Sequence, residues 1–428
     1  LLKFLGIDQA IVWAGGGRGL SMLLGPVGSF IIVWTLSPED QGTYYLFLSL
    51  VSLQALFDLG ASAAIAQMAP HLIKNQSDAV ALPEKEFIHV AVRWMNRIAL
   101  GFIIIIGPVG LFYLHWSGQK SLIIALMWLA TVLSTAMTGA QEGRLKILYG
   151  SGHVSWTNKL RFYSLIIRYP VQWILLLTGF SLFSFSASAF AVFIFQHLRL
   201  RNFFPGLWPN QQVIEERSAE LHTELRGLVG RASITYASGI LVFNIQQPII
   251  YKLLGPVAAA KLGFTGMVGS TLIGLASIWG MTRFPDFARQ VAQGEINNAY
   301  SLYKKTLART IAISAFGFLL ALLGLEILHY IPRFSERLMV TSEVIPLYFS
   351  FFIQTIFLMT TYWPRSFRVE PFAPVAAIQM FVTPLAVWYL TKNIGISGVG
   401  WGNLVSWIVG AIGISLITFR YLPKVQRC

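Results

Sequence analysis

Apolar stretches without a single charged residue recur along the chain, and each reaches the roughly 20 residues that a membrane-spanning helix needs. The stretch 169–198 is too long for one helix, and Gly179 and Ser181 near its centre predict a tight hairpin between two helices. Two further spans tolerate one acid each, 43–69 around Asp58 and 310–331 around Glu326. The charge-free stretches are 19–38, 98–119, 121–141, 169–198, 232–251, 262–282, 344–364, 371–391 and 393–419.

Together these spans predict twelve transmembrane helices, six on either side of a polar stretch near 200–230. Helices are expected because open sheet edges would leave backbone groups unpaired in hydrocarbon. The predicted fold class is an all-α integral membrane protein with two pseudo-repeated six-helix bundles. We expect an N-terminal bundle at 1–205, a cytoplasmic linker at 206–230 and a C-terminal bundle at 231–428.

A weak internal repeat supports the two bundles. Pro38 and Pro256 follow the first and seventh predicted helices and are 218 residues apart. Pro70 and Pro285 follow the second and eighth predicted helices and are 215 residues apart. Because each half holds an even number of spans, the two repeats are predicted to run parallel to each other.

Composition and charge agree with this picture. Charged residues make up 12% of the chain, whereas an ordinary soluble domain carries about 25%. The chain holds 32 Lys and Arg against 18 Asp and Glu, a formal net charge of +14. With the N-terminus inside, 24 of the basic residues fall on the cytoplasmic side and 6 outside. This asymmetry predicts a multi-pass membrane protein with both termini in the cytoplasm, and the single scattered basic residues do not predict a nucleic-acid partner.

The sequence contains none of the patterns that would predict an enzyme. There is no Walker A loop, HExxH, GxSxG or DxD, and the seven histidines show no metal-ligand spacing. The predicted outer loops are all short, which leaves no room for an external catalytic domain. We therefore expect no catalytic residues, no metal and no direct use of ATP, and we predict a transporter.

Residues 36–45 read LSPEDQGTYY, followed by SLVSL at 49–53 and FDLG at 57–60. In these three segments the chain resembles polysaccharide flippases of the O-antigen translocase type. Those flippases belong to the multidrug/oligosaccharidyl-lipid/polysaccharide (MOP) exporter superfamily. The resemblance implies translocation of an undecaprenyl-pyrophosphate-linked oligosaccharide from the inner to the outer leaflet, by alternating access around a cationic cavity. It implies a location in the bacterial inner membrane, with membrane lipids, a polysaccharide polymerase and chain-length machinery as partners. No cofactor is expected, and coupling to H⁺ or Na⁺ stays open.

Charged side chains within the predicted helices are the leading site candidates, because each costs about 2.5–3.5 kcal/mol at mid-helix. Arg18 and Asp58 are predicted at similar depths and therefore as an intramembrane pair; the alternative is that Arg18 snorkels to the headgroups. Arg18 and Arg168, the deepest arginines, are predicted to bind the diphosphate, since guanidinium suits phosphate oxygens. Arg93 and Arg97, which open the third helix, could share this role or serve as positive anchors.

Among uncharged residues, Asn244 and Gln247 are the preferred substrate-binding candidates, because they lie one turn apart next to Pro248, where the helix could kink. The alternative for such amides is hydrogen bonding between helices.

Three other functions remain open. A drug exporter of the same superfamily should place acids rather than arginines in its cavity. A peptidoglycan-precursor flippase has two further helices, for which this chain leaves little room. A membrane glycosyltransferase or polymerase should have a long outer loop with catalytic acids.

Overall fold

The computed structural model describes residues 9–73, 82–208, 214–367 and 372–421, and throughout these ranges the chain is helical with no strand. The helices are α1 (Gln9–Thr35), α2 (Pro38–Ser52), α3 (Gln54–Asp58), α4 (Ala61–Met68), α5 (Lys85–Trp116), α6 (Leu122–Gly150), α7 (Val154–Leu177), α8 (Phe183–Phe203), α9 (Glu215–Asn244), α10 (Gln246–Ala292), α11 (Ile296–His329), α12 (Pro332–Ser335), α13 (Thr341–Ser366), α14 (Ala373–Ile394) and α15 (Ser397–Tyr421).

Each of the twelve predicted spans falls on one or more of these helices. Among the described residues, eight helices are long and apolar enough to cross a membrane, or nine if the bent segment from Pro38 to Leu72 counts as one span. The seventh and eighth predicted spans lie in α9 and α10, and α10 is divided at Gly255, whose φ of 87° and ψ of 177° are not helical.

Local sequence explains where several helices begin and end. The Ser37 hydroxyl accepts a hydrogen bond from the backbone N–H of Asp40 at 3.0 Å, and Pro38 occupies the first turn, so α2 starts at that proline. The predicted hairpin within 169–198 is present between α7 and α8. There Gly179 adopts a φ of 88°, which a residue with a Cβ rarely takes, and closes the end of α7.

The chain divides into two compact units. The first unit comprises residues 1–40 and 47–237, and the second comprises 41–46 and 238–428. The predicted bundle boundaries and the linker at 206–230 stay predictions. In the structure, 215–230 forms the beginning of α9, whose Leu221 and Leu225 are buried in the same apolar cluster as Phe87 of α5. This segment therefore packs on the first unit through an apolar stripe.

The helices pack in a repeated order within each unit. In the first unit α4 contacts α6, α5 contacts α6, α6 contacts α8 and α7 contacts α8. In the second unit α10 contacts α13, α11 contacts α13, α13 contacts α15 and α14 contacts α15. The same succession of neighbours in both units is what the predicted parallel repeat requires.

Small residues permit the closest helix contacts. In the second unit, a Cβ at Gly402 of α15 would lie 2.7 Å from the backbone of Val387 in α14, so only glycine fits there. The Gly139 and Gly143 pair also faces neighbouring side chains. By contrast, a Cβ added at Gly15 or Gly19 of α1 would have no described atom within 4 Å, so these two glycines do not mark a packed contact.

Candidate anion-binding site

A basic stripe runs along α5 in the first unit. His89, Arg93 and Arg97 are four residues apart, so their side chains share one helix face over roughly 12 Å. The opposite face carries Ala91 and Met95, which are buried in the core of the unit. Because that apolar face fixes the rotation of the helix, the basic stripe points away from the core.

The first cavity lies between this stripe and the first turns of α9, and its volume is about 270 Å³. The Trp94 and His222 rings pack together across it, with centroids 4.9 Å apart. The Ser218 hydroxyl is buried and has no hydrogen-bond partner among the described residues. The cavity is lined by His89, Val90, Arg93, Trp94, Arg97, Glu215, Ser218, Ala219 and His222.

A second cavity, of about 310 Å³, lies on the other side of the same stripe. The Arg144 guanidinium of α6 lies over the Trp208 ring, 4.7 Å from its centroid. The Arg144 Nε is buried without a hydrogen-bond partner in the described part of the chain. The cavity is lined by His89, Val92, Arg93, Asn96, Arg144, Leu207 and Trp208.

The electrostatic balance of the two cavities is cationic. Within the described ranges, no carboxylate forms an ion pair with Arg93, Arg97 or Arg144. Glu215 is the one acid among the lining residues, and it is exposed. Guanidinium groups that lack protein partners are free to donate bidentate hydrogen bonds to phosphate oxygens.

Two other arginines of the first unit, Arg161 and Arg217, are paired with carboxylates. Arg161 donates to Glu142 at 2.6 Å. Arg217 bonds to Glu220 at 2.9 Å and to Glu84 at 3.4 Å, and the hydrogen bonds to Glu220 and Glu84 raise the pKa of Arg217 above its usual value. In the described part of the first unit, ion pairs thus involve Arg161 and Arg217 but none of the arginines that line the cavities.

The site lies where polar and apolar parts of the chain meet. The apolar span that includes α10 begins at Ile240, whereas the cavity contacts the start of α9 from Glu215 onward. On α5, Lys85 begins an apolar span of 32 residues, and the stripe occupies its first half. A bound anion would therefore sit near the membrane boundary, at the depth of lipid headgroups.

The predicted Arg18–Asp58 pair is not formed in the structure. Arg18 is exposed on α1, and no ion pair joins it to Asp58 among the described residues. Asp58 instead accepts hydrogen bonds from the backbone N–H of Ser62 at 2.9 Å and from its hydroxyl at 2.7 Å. Asp58 is the last residue of α3, and its carboxylate caps the first turn of α4. The acid therefore has its hydrogen-bond partners close by in the chain.

Arg168 of α7 is partly buried, and its guanidinium lies 5.4 Å from the centroid of the Phe185 ring in α8. The structure brings neither Arg18 nor Arg168 into the two cavities, whose lining residues do not include them. Their role in substrate binding stays a prediction.

Asn244 and Gln247 lie at the break between α9 and α10, close to the predicted kink. The Asn244 amide donates to the Ile240 carbonyl at 2.9 Å, and the buried Gln247 amide donates to the Ala259 carbonyl at 2.5 Å. Both amides thus have backbone partners, and their predicted role as sugar contacts stays a prediction.

The sequence points to Arg93 and Arg97 but not to His89, Arg144 or His222. The four-residue spacing of His89, Arg93 and Arg97 is a detectable signal of a shared face. Arg144 and His222 join them through tertiary packing, which no local pattern reveals. No cluster of three or more His, Cys, Asp or Glu that could hold a metal occurs in the described ranges.

No protein-family model matches the sequence, and no curated protein matches it. Solved structures do match. A multidrug-resistance MATE family transporter of the MOP superfamily, in an inward-facing conformation, has a TM-score of 0.66 at 14% identity over 93% of this chain and 95% of that one. The lipid II flippase MurJ, in an inward closed conformation, has a TM-score of 0.70 at 11% identity over 95% and 87%.

The chain has the fold of the MOP-superfamily transporters. A further match, at a TM-score of 0.59 and 14% identity over 95% and 94%, is a MOP-superfamily transporter from Pyrococcus furiosus whose binding pocket is described as reversed in polarity. The predicted fold class, an all-α membrane protein with many spans, is confirmed by these matches and by the apolar helices.

Proposed function

We propose that this MOP-fold chain is a transporter that moves an undecaprenyl-pyrophosphate-linked oligosaccharide, an O-antigen or other surface polysaccharide unit, from the inner to the outer leaflet. The observation that carries the proposal is the pair of cavities along His89, Arg93 and Arg97, whose arginines have no carboxylate partner among the described residues. A diphosphate with about two negative charges is a ligand that such unpaired guanidinium groups can stabilise.

The lipid portion of this substrate explains the location of the cavities. A polyprenyl tail stays in hydrocarbon while its diphosphate remains at the headgroup level. The stripe on α5 begins four residues after Lys85, where the apolar span starts, so the diphosphate can reach it without leaving the membrane surface. Alternating access would then carry the headgroup across, and H⁺ or Na⁺ could be the coupling ion.

A multidrug exporter is the second candidate because solved MATE transporters share the fold. A cationic drug would need acids for its recognition, and the lining residues of the two cavities include only Glu215 as an acid. The charge of the cavities therefore favours an anionic substrate over a cationic one.

The test is translocation in proteoliposomes that contain the full chain and a fluorescent undecaprenyl-pyrophosphate-linked oligosaccharide. An impermeant quencher reports the fraction of glycan that reaches the opposite leaflet. We expect Arg93→Ala and Arg97→Ala each to slow translocation about tenfold or more, since a charge-assisted hydrogen bond contributes about 1.5–3 kcal/mol. Lys120→Ala, just beyond the other end of α5, is the matched control and should keep the wild-type rate.

A wild-type protein that leaves the glycan in its original leaflet would overturn the proposal. Efficient export of a cationic dye by the same vesicles, with no glycan movement, would favour the drug exporter instead. The predicted topology, with both termini in the cytoplasm, and the association with a polymerase and chain-length machinery are parts of the same proposal. Accessibility of an N-terminal tag in intact cells tests the orientation.

A further inference from the structure

The two cavities meet along one ridge of α5. His89 and Arg93 line both cavities. On one side of the ridge, Trp94 and Arg97 face the first cavity together with α9. On the other side, Asn96 faces the second cavity together with Trp208. A ligand held by Arg93 can therefore extend into both cavities at once.

The chemistry of the two cavities differs. The first adds two donor side chains to the shared ridge, Arg97 and His222. Such a surplus of donors suits an anion with several acceptor oxygens.

The second cavity mixes apolar and hydrogen-bonding groups. Val92, Leu207 and the Trp208 ring provide an apolar wall, while Asn96 provides an amide. Arg144 lies over one side of the Trp208 ring and holds it in place. A sugar ring has the matching character, with C–H groups on its faces and hydroxyls at its edge, and small-molecule sites commonly combine apolar walls with a few placed polar groups.

We infer that the two cavities form a single two-part site for a glycosyl diphosphate, with the diphosphate in the first cavity, the adjoining sugar in the second, and Arg93 at their junction. The inference rests on the proposed function for its substrate class. It adds that the chain distinguishes a sugar-loaded carrier lipid from the bare carrier, through Asn96 and Trp208.

Native mass spectrometry of the full-length protein in detergent micelles tests this division, because it reports the fraction of protein bound to each lipid. The probes are undecaprenyl diphosphate, the same lipid carrying one N-acetylhexosamine, and phosphatidylglycerol. The variants are Arg97→Ala for the first cavity and Asn96→Ala for the second. Both side chains are exposed, so neither substitution removes core packing, and Lys120→Ala is the matched control.

We expect Arg97→Ala to weaken binding of both diphosphates about tenfold or more. Asn96→Ala should weaken only the sugar-loaded lipid, by about threefold to tenfold, the range for one uncharged hydrogen bond. Equal effects of Asn96→Ala on both diphosphates would overturn the division, as would an Arg97→Ala protein that binds both like the wild type. Phosphatidylglycerol bound as tightly as the diphosphates would show a general headgroup site and also overturn it.

The outcome is separable from that of the transport experiment. If the binding pattern holds but vesicles show no translocation, the two-part site stands and the proposed transport fails. If translocation occurs but Asn96→Ala leaves the preference for the sugar-loaded lipid unchanged, the proposed function stands and the two-part site fails. Trp208→Phe, which keeps an aromatic ring against Arg144, gives a second variant of the sugar cavity and should reduce the same preference.

Discussion

The Gln246 and Asn403 side chains form two reciprocal hydrogen bonds in the second unit. The Gln246 amide donates to the Asn403 carbonyl oxygen at 2.8 Å, and the Asn403 amide donates back at 3.1 Å. Both side chains are buried, with exposures of 8% and 2%. The pair joins α10 to α15, two helices that are far apart in the sequence of this unit.

This relationship predicts a non-additive loss of stability. Asn403→Leu should lower the free energy of unfolding by about 1–3 kcal/mol, because the buried Gln246 side-chain carbonyl would lose its donor, although the Gln246 amide N–H would still reach the Val242 carbonyl. The double variant Gln246→Leu with Asn403→Leu should recover part of that loss, since neither polar group remains. A double-mutant cycle measures this coupling: it compares the thermal unfolding, in one detergent, of the wild type, Gln246→Leu, Asn403→Leu and the double variant. Strictly additive losses would mean that the two amides do not act as a pair.

Close backbone packing at Gly42 gives a second prediction, which concerns the unfolding temperature. Gly42 belongs to the second unit, and a Cβ at this position would overlap the carbonyl of Pro256. Gly42→Ala should therefore lower the unfolding temperature, because backbone cannot move aside as a flexible side chain can. Gly19→Ala is the matched control, since no described atom lies near its Cβ position, and better helix propensity should stabilise it slightly. Equal unfolding temperatures for both variants would contradict this packing.

These two contacts show what the sequence can and cannot predict. Pro38 and Pro256 mark the repeat, and charge-free stretches mark the helices, because membrane spans carry a strong local signal. The Gln246–Asn403 pair has no counterpart among the predictions: the sequence favours Asn244 and Gln247 as substrate-binding amides, which stays a prediction, whereas the neighbouring Gln246 reaches Asn403. A helix turn of 100° per residue decides which amide faces a neighbour, and only tertiary packing fixes that rotation.

The predicted Arg18–Asp58 pair is absent from the ion pairs of the described residues for a related reason. Asp58 is expected to pair with Arg18 at similar depth, but the chain breaks next to it, where Leu59 and Gly60 adopt left-handed conformations with φ of 44° and 86°. That break leaves the first N–H groups of α4 without helical partners, and Asp58 accepts a hydrogen bond from one of them, the Ser62 N–H. Depth along a helix is predictable from counting residues, whereas the break that redirects the carboxylate is not.

Packing of α9 on the first unit gives a third prediction. Leu225 is fully buried in the apolar cluster, whereas the Arg217 side chain forms its ion pairs while 39% exposed. Leu225→Ala should weaken docking of α9 by about 2–5 kcal/mol, while Arg217→Gln should have little effect because solvent screens exposed ion pairs. The raised pKa of Arg217 means that its charge persists at all ordinary pH values, so raising the pH to about 9 should not mimic the Arg217→Gln substitution.

The rate at which a cysteine at position 218 reacts with a maleimide measures how firmly α9 packs on the first unit. The chain has one cysteine, Cys428, so Ser218→Cys in a Cys428→Ser background gives a single reporter on the wall of the first cavity. The wild-type packing should protect it from an impermeant maleimide, and Leu225→Ala should accelerate labelling far more than Arg217→Gln. Faster labelling with Arg217→Gln than with Leu225→Ala would mean that charge, and not apolar packing, holds α9.

Membrane voltage provides a fourth prediction. The proposed substrate carries about two negative charges from the negative interior to the outside, which favours outward movement by roughly 2.3 kcal/mol per charge per 100 mV. An inside-negative potassium diffusion potential should therefore speed glycan translocation in vesicles, provided that the charged step limits the rate. The control is vesicles with equal potassium concentrations on both sides, which have no diffusion potential. A rate that ignores the imposed voltage would show that the diphosphate is charge-compensated during the limiting step.

Arg18 and Arg168 allow a final prediction, because the same residue type lies in two different environments. Arg168 packs over Phe185, so Arg168→Gln should lower the free energy of unfolding by about 0.5–2 kcal/mol through the lost cation–π contact. Arg18 is exposed on α1, and Arg18→Gln should leave the unfolding temperature unchanged. If Arg18 binds the diphosphate as predicted, translocation should nevertheless fall severalfold in Arg18→Gln and recover only in part in Arg18→Lys, which keeps the charge but not the bidentate donors. Unchanged translocation in Arg18→Gln would exclude Arg18 from anion recognition, because this arginine would then contribute neither packing nor binding.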